Sequence, residues 1–263
     1  VSLFKLLRIV VLLSVLFVIV AGTWMTERKL ARWDQPVWVT LYPIVEEGRT
    51  GTERFVRSLD VEDFSGINRF LTAELARYGV AMAEPLQFQL APISTEKPPA
   101  IPERHSPVAV AWWSLKMRWW AWRRESPGEL IAPDVQMFLI YHEPGEFSEM
   151  QMSVGMRKGR YGLVKAYTGA ENRGYNNVVI THELLHVLGA SDKYSLATGD
   201  PIFPEGFADP DQQPLFPQTR AEIMAGAIPL SATQHALPGS LERCHIGQVT
   251  AEEIGLFQKL VDN

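Results

Sequence analysis

Cysteine is nearly absent from this chain: Cys244 is the only one in 263 residues. An intramolecular disulfide is therefore impossible, and a disulfide scaffold or a cysteine-based zinc site is excluded. A lone cysteine reads as a small buried hydrophobe, the alternative being an intermolecular bridge in an oxidising compartment. Clustered positive charge is missing as well. The formal net charge is −5, the pI is about 5.7 and no basic block stands out, so binding to nucleic acid has no electrostatic support. No internal repeat is visible. Histidine is scarce, with six in the chain, and two of these lie four residues apart.

That pair is the centre of the sequence. Thr181-His182-Glu183-Leu184-Leu185-His186-Val187-Leu188-Gly189-Ala190-Ser191-Asp192 holds H-E-x-x-H, then a glycine, then an acid. On a helix His182 and His186 lie on one face, one turn apart, where two imidazoles can grip one Zn²⁺. Glu183 beside them is placed to take a proton from water at the metal. A catalytic zinc needs a third protein ligand and an open position. Asp192 is the best candidate for that ligand, and Glu222 is its rival. An uninterrupted helix would carry residue 192 roughly 9 Å beyond His186, out of reach. Gly189 is the residue type that ends a helix in a left-handed conformation and turns the chain. The other histidines, His105, His142, His235 and His245, show no paired metal spacing.

His182, Glu183, His186, Gly189 and Asp192 together resemble the extended zinc signature of the metzincin group of metallopeptidases, and the aspartate form resembles the snapalysin type. That likeness implies a membrane-anchored bacterial zinc metallopeptidase with a methionine in a tight turn beneath the metal. Met224, in Ala221-Glu222-Ile223-Met224-Ala225-Gly226, takes that place 32 residues after Asp192. The likeness is specific over residues 177–192 and spans about a third of the chain, from 159 to 226. Two departures stand out. The commoner third ligand is histidine, and Gly226 occupies the place where some metzincins carry a tyrosine near the metal. Tyr194 is the nearest substitute.

The beginning of the chain bears on location. Residues 9–22 carry no charge, Lys5 and Arg8 precede them, and the mostly apolar stretch approaches the length of a bilayer. The absence of an Ala-x-Ala site favours an uncleaved signal anchor over residues 1–25, with Trp24 at the interface; a cleaved signal peptide is the alternative. Residues 34–263 are expected to form one α/β (α+β) zincin-like domain with a mixed sheet and an active-site helix, its zinc site within 177–226. The default orientation puts that domain on the extracytoplasmic side.

Within it, Val37–Tyr42 reads as a strand ended by Pro43, residues 60–79 as an amphipathic helix, and Leu86–Leu90 as a half-buried strand. Residues 91–107 hold five prolines and read as a connector, and Ser106-Pro107 as a helix start. Asp134–Tyr141 and residues 159–168 are strand candidates, and Asn176 or Asn177 is expected to cap the zinc helix. In the resembling enzymes an edge strand near the metal pairs with extended substrate, and the stretch Gly162–Tyr167 is a candidate for it. Five of the eight tryptophans fall between Trp112 and Trp122. Trp112, Leu115, Trp119 and Trp122 form one helical stripe and Trp113, Met117 and Trp120 another, which predicts burial of both faces. The alternative is an element lying on a membrane, with Arg118, Arg123 and Arg124 toward headgroups. Residues 197–220 read as a long loop walling the cleft. Asp200, Asp209 and Asp211 there are solvated acids before they are a Ca²⁺ site.

The expected activity is zinc-dependent hydrolysis of a peptide bond in a peptide or protein substrate. Two alternatives stay open: a non-catalytic envelope binding or assembly protein with a structural zinc, and an amide hydrolase acting on cell-wall peptides.

Overall fold

The computed structural model describes residues 33–45, 49–100, 106–124, 130–145, 154–156 and 160–257, with a few isolated positions besides. The apolar segment expected to anchor the chain lies outside the described residues. Among those described, no helix is long and apolar enough to cross a membrane.

The fold is mixed α/β, built on a five-stranded sheet. Its strands are β1 (Val37–Val45), β2 (Leu86–Leu90), β3 (Val135–His142), β4 (Val154–Met156) and β5 (Tyr161–Tyr167), in the order β2-β1-β3-β5-β4. The first four in that order run parallel, and β4 alone is antiparallel to its neighbour. The strand near Gly162 is thus internal, flanked by β3 and β4, and the short β4 forms the edge. The helix that carries His182 and His186 follows a strand as expected, but that strand is not the edge one.

Strand alternation divides the interior into two layers. Val39, Leu41 and Val45 of β1, Val135, Met137, Leu139 and Tyr141 of β3, and Val164 and Ala166 of β5 face one large core. The helices packed there are α1 (Thr50–Arg57), α2 (Ser65–Arg77) and α4 (Arg173–Leu188). Tyr42, Ile44, Phe138, Tyr161 and Leu163 face the other way, against α3 (Pro107–Trp122). Ser106 caps α3 through its side chain, accepting from the Ala109 amide, with Pro107 at the first position as predicted.

Pro43 does not end β1, which runs on through it to Val45. The carbonyls of Leu41 and Pro43 point toward the β2 side, where Ala91 and Ser94 donate to them. In a parallel strand the missing Pro43 N–H would point the same way. After Ala91 the chain leaves the ladder and returns at Ser94, whose carbonyl accepts from Val45. Proline therefore sits where no donor is called for.

The tryptophan helix is also not as predicted. Trp113, Met117 and Trp120 are buried, but Trp112, Leu115, Trp119 and Trp122 are 58–66% exposed. Only one of the two stripes meets the sheet.

After α4 come 32 residues without helix or strand, from Gly189 to Arg220. Side chains do the work of backbone ladders here. Gln218 exchanges hydrogen bonds with both backbone groups of Asp209, and Gln212 Nε2 donates to the carbonyls of Pro214 and Pro217. The segment closes with β6 (Ala221–Glu222), a 3₁₀ turn (Ile223–Ala225), β7 (Ile228–Pro229), β8 (His235–Ala236), β9 (Cys244–His245) and α5 (Gln248–Glu253). Cys244 is buried, its thiol donates to the Ser240 carbonyl, and burial pushes its pKa up to about 12.

Candidate metal centre

The site begins with how α4 is held. Asn176 and Asn177 do not cap the helix, which starts earlier, at Arg173, after a 3₁₀ turn (Ala170–Asn172). The Asn176 amide instead clamps β5, accepting from the Tyr167 N–H at 2.9 Å and donating to the Tyr167 carbonyl at 2.8 Å. Asn177 donates to the Asp63 carbonyl. Buried polar side chains at these positions fix the helix in register against its neighbours.

The helix stops at Gly189, whose φ of 122° suits glycine alone. The Gly189 and Ala190 amides both bond back to the Leu185 carbonyl. The turn brings Asp192 back over the last helical turn. Asp192 Oδ1 lies 3.0 Å from His186 Nε2 and 3.3 Å from His182 Nε2, and the two Nε2 atoms are 3.1 Å apart. His182, His186 and Asp192 thus form a group able to hold a metal ion.

The protonation pattern sharpens this. His182 Nδ1 is 2.9 Å from the Ile223 carbonyl, and His186 Nδ1 is 2.9 Å from the Ala190 carbonyl. Carbonyls only accept, so each Nδ1 carries the hydrogen and each neutral imidazole turns a lone pair inward. Two nitrogen lone pairs and a carboxylate oxygen then converge, an arrangement that repels itself unless a cation or proton lies among them. A tetrahedral ion with bonds of about 2.0–2.1 Å spaces its ligand atoms by roughly 3.4 Å, close to this triangle. The Nδ1–H···O=C bonds are also the usual orienting partners of metal-binding histidines. Burial opposes charging His182, but Asp192 and Glu183 outweigh it and raise its pKa. Burial likewise works against the Asp192 carboxylate, and the two imidazoles hold it well below the usual carboxylate range.

Met224 is fully buried. The Ile223–Ala225 turn holds the site twice: Ile223 supplies the carbonyl for His182, and the Met224 carbonyl accepts from the Lys193 amide, next to Asp192. Gly226 closes the turn at φ 69°, a left-handed position that tyrosine would strain. Tyr194 does come near the site: burial and the Asp192 carboxylate push its pKa up to about 12. Glu183 is 5% exposed and faces β5, with its Cβ 3.7 Å from where a side chain at Gly162 would begin.

Glu222, the rival ligand, is committed elsewhere. One carboxylate oxygen accepts from the Met224 and Ala225 amides at 2.6 and 3.0 Å, and the other from Thr250 Oγ1 and the Gly247 amide at 2.7 and 3.1 Å. It is the clamp of the turn, a role the sequence reading missed. A lone acid inside Ala-Glu-Ile-Met-Ala was the available signal. The carbonyls of Ile223 and Ala190 leave no such trace, because every residue has one. Also unforeseen is buried Lys193, whose Nζ donates to Ser191 and pairs with Glu253 at 2.8 Å. Among the described residues, Asp200, Asp209 and Asp211 form no metal-ligating group.

In comparisons with known proteins, no family model and no curated protein matches the chain. Among solved structures, it is similar to a chain in "Structure of a chaperone-substrate complex", at 14% identity and a TM-score of 0.40. The match covers 86% of this chain and 34% of that one, so this chain spans about a third of its length.

Proposed function

We propose that this chain is a zinc-dependent peptide-bond hydrolase of metzincin-like type, with His182, His186 and Asp192 as metal ligands and Glu183 as general base. The observation that carries the proposal is the inward convergence of two imidazole lone pairs and one carboxylate oxygen beside a buried glutamate. Zn²⁺ bound there would polarise a carbonyl and make nearby water more acidic. The residues do the rest. Glu183 takes a proton from the attacking water and passes it toward the leaving amine. The Ile223 and Ala190 carbonyls keep both imidazoles in the binding tautomer. The edge of β4, unpaired among the described residues, would offer backbone groups to an extended peptide.

A purely structural zinc is the weaker reading. Structural sites are closed by four protein ligands, and the group here, among the described residues, has three. A structural site also has no use for Glu183. Residues 1–25 are proposed to anchor the chain, with this domain on the extracytoplasmic face; protease added to intact spheroplasts should then degrade it.

The test is metal content and peptide cleavage by the purified full chain. Wild type should carry one zinc and cut peptides from a mixed library. Glu183→Ala should keep the zinc and lose cleavage, whereas Asp192→Ala should weaken both. Folded wild-type protein that neither takes up zinc nor cleaves would overturn the proposal. Zinc retention with cleavage confined to cell-wall peptides would redirect it to an amide hydrolase.

A further inference from the structure

α3 turns its most hydrophobic stripe away from the protein. Val108 is 80% exposed, Trp112 60%, Leu115 59%, Trp119 58% and Trp122 66%. At about 100° per residue these five share one side of the helix, opposite Trp113, Met117 and Trp120, which seal the sheet. An exposed row of three indoles is costly in water, and scattered surface hydrophobics do not explain it.

Charge borders the row. Lys116 and Arg123 flank one side and Arg118 the other, and α3 with the two residues after it holds no acid, although the chain as a whole is at −5. Lys116 lies 5.6 Å over the Trp112 ring and Arg123 4.8 Å over Trp119, so indole and cation are presented together. Arg124 belongs to the other face, stacked at 3.7 Å on buried Trp120 and paired with Glu96.

We propose that this face of α3 docks on an anionic lipid surface, with the indoles at the level of the headgroups and the basic rims on lipid phosphates. Tryptophan with arginine and lysine is the combination that favours the interface over either bulk phase. A helix that carries bases and no acid, in a protein of net charge −5, favours an anionic surface. A second copy of the chain would bring the basic rims against each other. The sheet separates α3 from α4, so a domain resting on α3 keeps the metal group on the side away from the bilayer. The inference does not depend on the metal reading.

The test uses the full chain with a single added cysteine carrying an environment-sensitive fluorophore; Cys244 is 3% exposed and escapes labelling. Leu115→Cys reports on the stripe, and Ala73→Cys on α2, across the sheet, serves as control. The proteins are mixed with vesicles of phosphatidylcholine alone or with phosphatidylglycerol added, each containing doxyl-lipid quencher. On anionic vesicles the label at 115 should shift to the blue and be quenched several-fold more than the label at 73. Lys116→Glu, Arg118→Glu and Arg123→Glu together should remove that difference while thermal stability holds. Equal quenching at both sites would overturn the proposal, as would quenching indifferent to lipid charge. Protection of the 115 label that rises with protein concentration and needs no lipid would replace the bilayer with a second copy.

Discussion

The sheet is sandwiched between two helices of equal length, α3 and α4, both 16 residues long, and they invert the usual link between composition and burial. α3 is the more apolar, yet six of its nine large hydrophobic side chains are exposed. α4 carries two asparagines, a threonine, a glutamate and two histidines, yet ten of its residues are buried. The polar groups explain the difference. Asn176 and Asn177 fix α4 to backbone groups of β5 and of Asp63, Thr181 bonds back to the Asn177 carbonyl, and both histidines are oriented by carbonyls. A buried polar group must find its partner, so it specifies position where an apolar one specifies only layer. Precision sits on the α4 side and adhesiveness on the α3 side.

The largest expected effect lies on the α4 side. Glu183→Gln keeps shape and burial and removes only the base. Peptide cleavage should fall by about 10²–10⁴-fold with zinc content unchanged, as read by turnover assay beside metal analysis. A variant that keeps full activity would strip α4 of its chemical role and leave the comparison one of packing alone.

Next comes a pair of substitutions within α3. Trp120→Ala empties a site that is 5% exposed and removes an edge-on contact with Phe138 at 4.7 Å. It should cost about 3–5 kcal/mol in denaturant unfolding. Trp119→Ala, one residue away and 58% exposed, should stay within about 0.5 kcal/mol. If Trp119 proved equally costly, its stripe would be covered within the chain and α3 would resemble α4 after all.

How far the sequence foretold this pair follows from the same physics. The metal group was legible because its spacing is local: i,i+4 on a helix, a glycine stop, and an acid three residues later. Chemistry that depends on tertiary contact left little trace. Nothing in the spacing told that Glu222 would turn all its lone pairs to amides and a hydroxyl rather than to metal, or that Asn176 would clamp β5 rather than cap α4. Periodicity identified both stripes of α3 but not which one the sheet would cover, because hydrophobic pattern measures affinity for burial and not the area available to provide it. β1 was cut short at Pro43 because a proline's fit in a strand depends on what its neighbour lacks, and that neighbour lies some fifty residues away.

Glu222→Gln is the third test, and it probes whether the turn under α4 rests on one carboxylate. The amide can present one oxygen, so an NH₂ must face either the Met224 and Ala225 amides or the Gly247 amide with Thr250. Leaving such donors opposed should cost about 1–3 kcal/mol. It should also lower zinc affinity, since the Ile223 carbonyl that orients His182 belongs to this turn. Unchanged affinity with lowered stability would separate the fold of the turn from the function of the site.

The smallest effect is a pH dependence at the exit from α4. Burial works against the Glu253 carboxylate, but Lys193 and Ser191 outweigh it and lower its pKa in the folded chain. The unfolded chain binds this proton first as pH falls, so the contribution is whole above the ordinary glutamate pKa. It fades as pH drops through the lower folded value. Glu253 is 29% exposed, and solvent screens the pair. Thermal melts between neutral and acid pH should therefore show a slightly steeper acid loss in wild type than in Glu253→Gln. Lys193 makes the sign of a second comparison unequal. It is 6% exposed, and with Glu253 neutralised its charge keeps only the Ser191 oxygens. The Glu253→Gln variant should thus be less stable than wild type at neutral pH and converge with it in acid. Parallel curves would mean that the Ser191–Lys193 segment beside Asp192 is held by its backbone bonds to Met224 and Ile202 rather than by this pair.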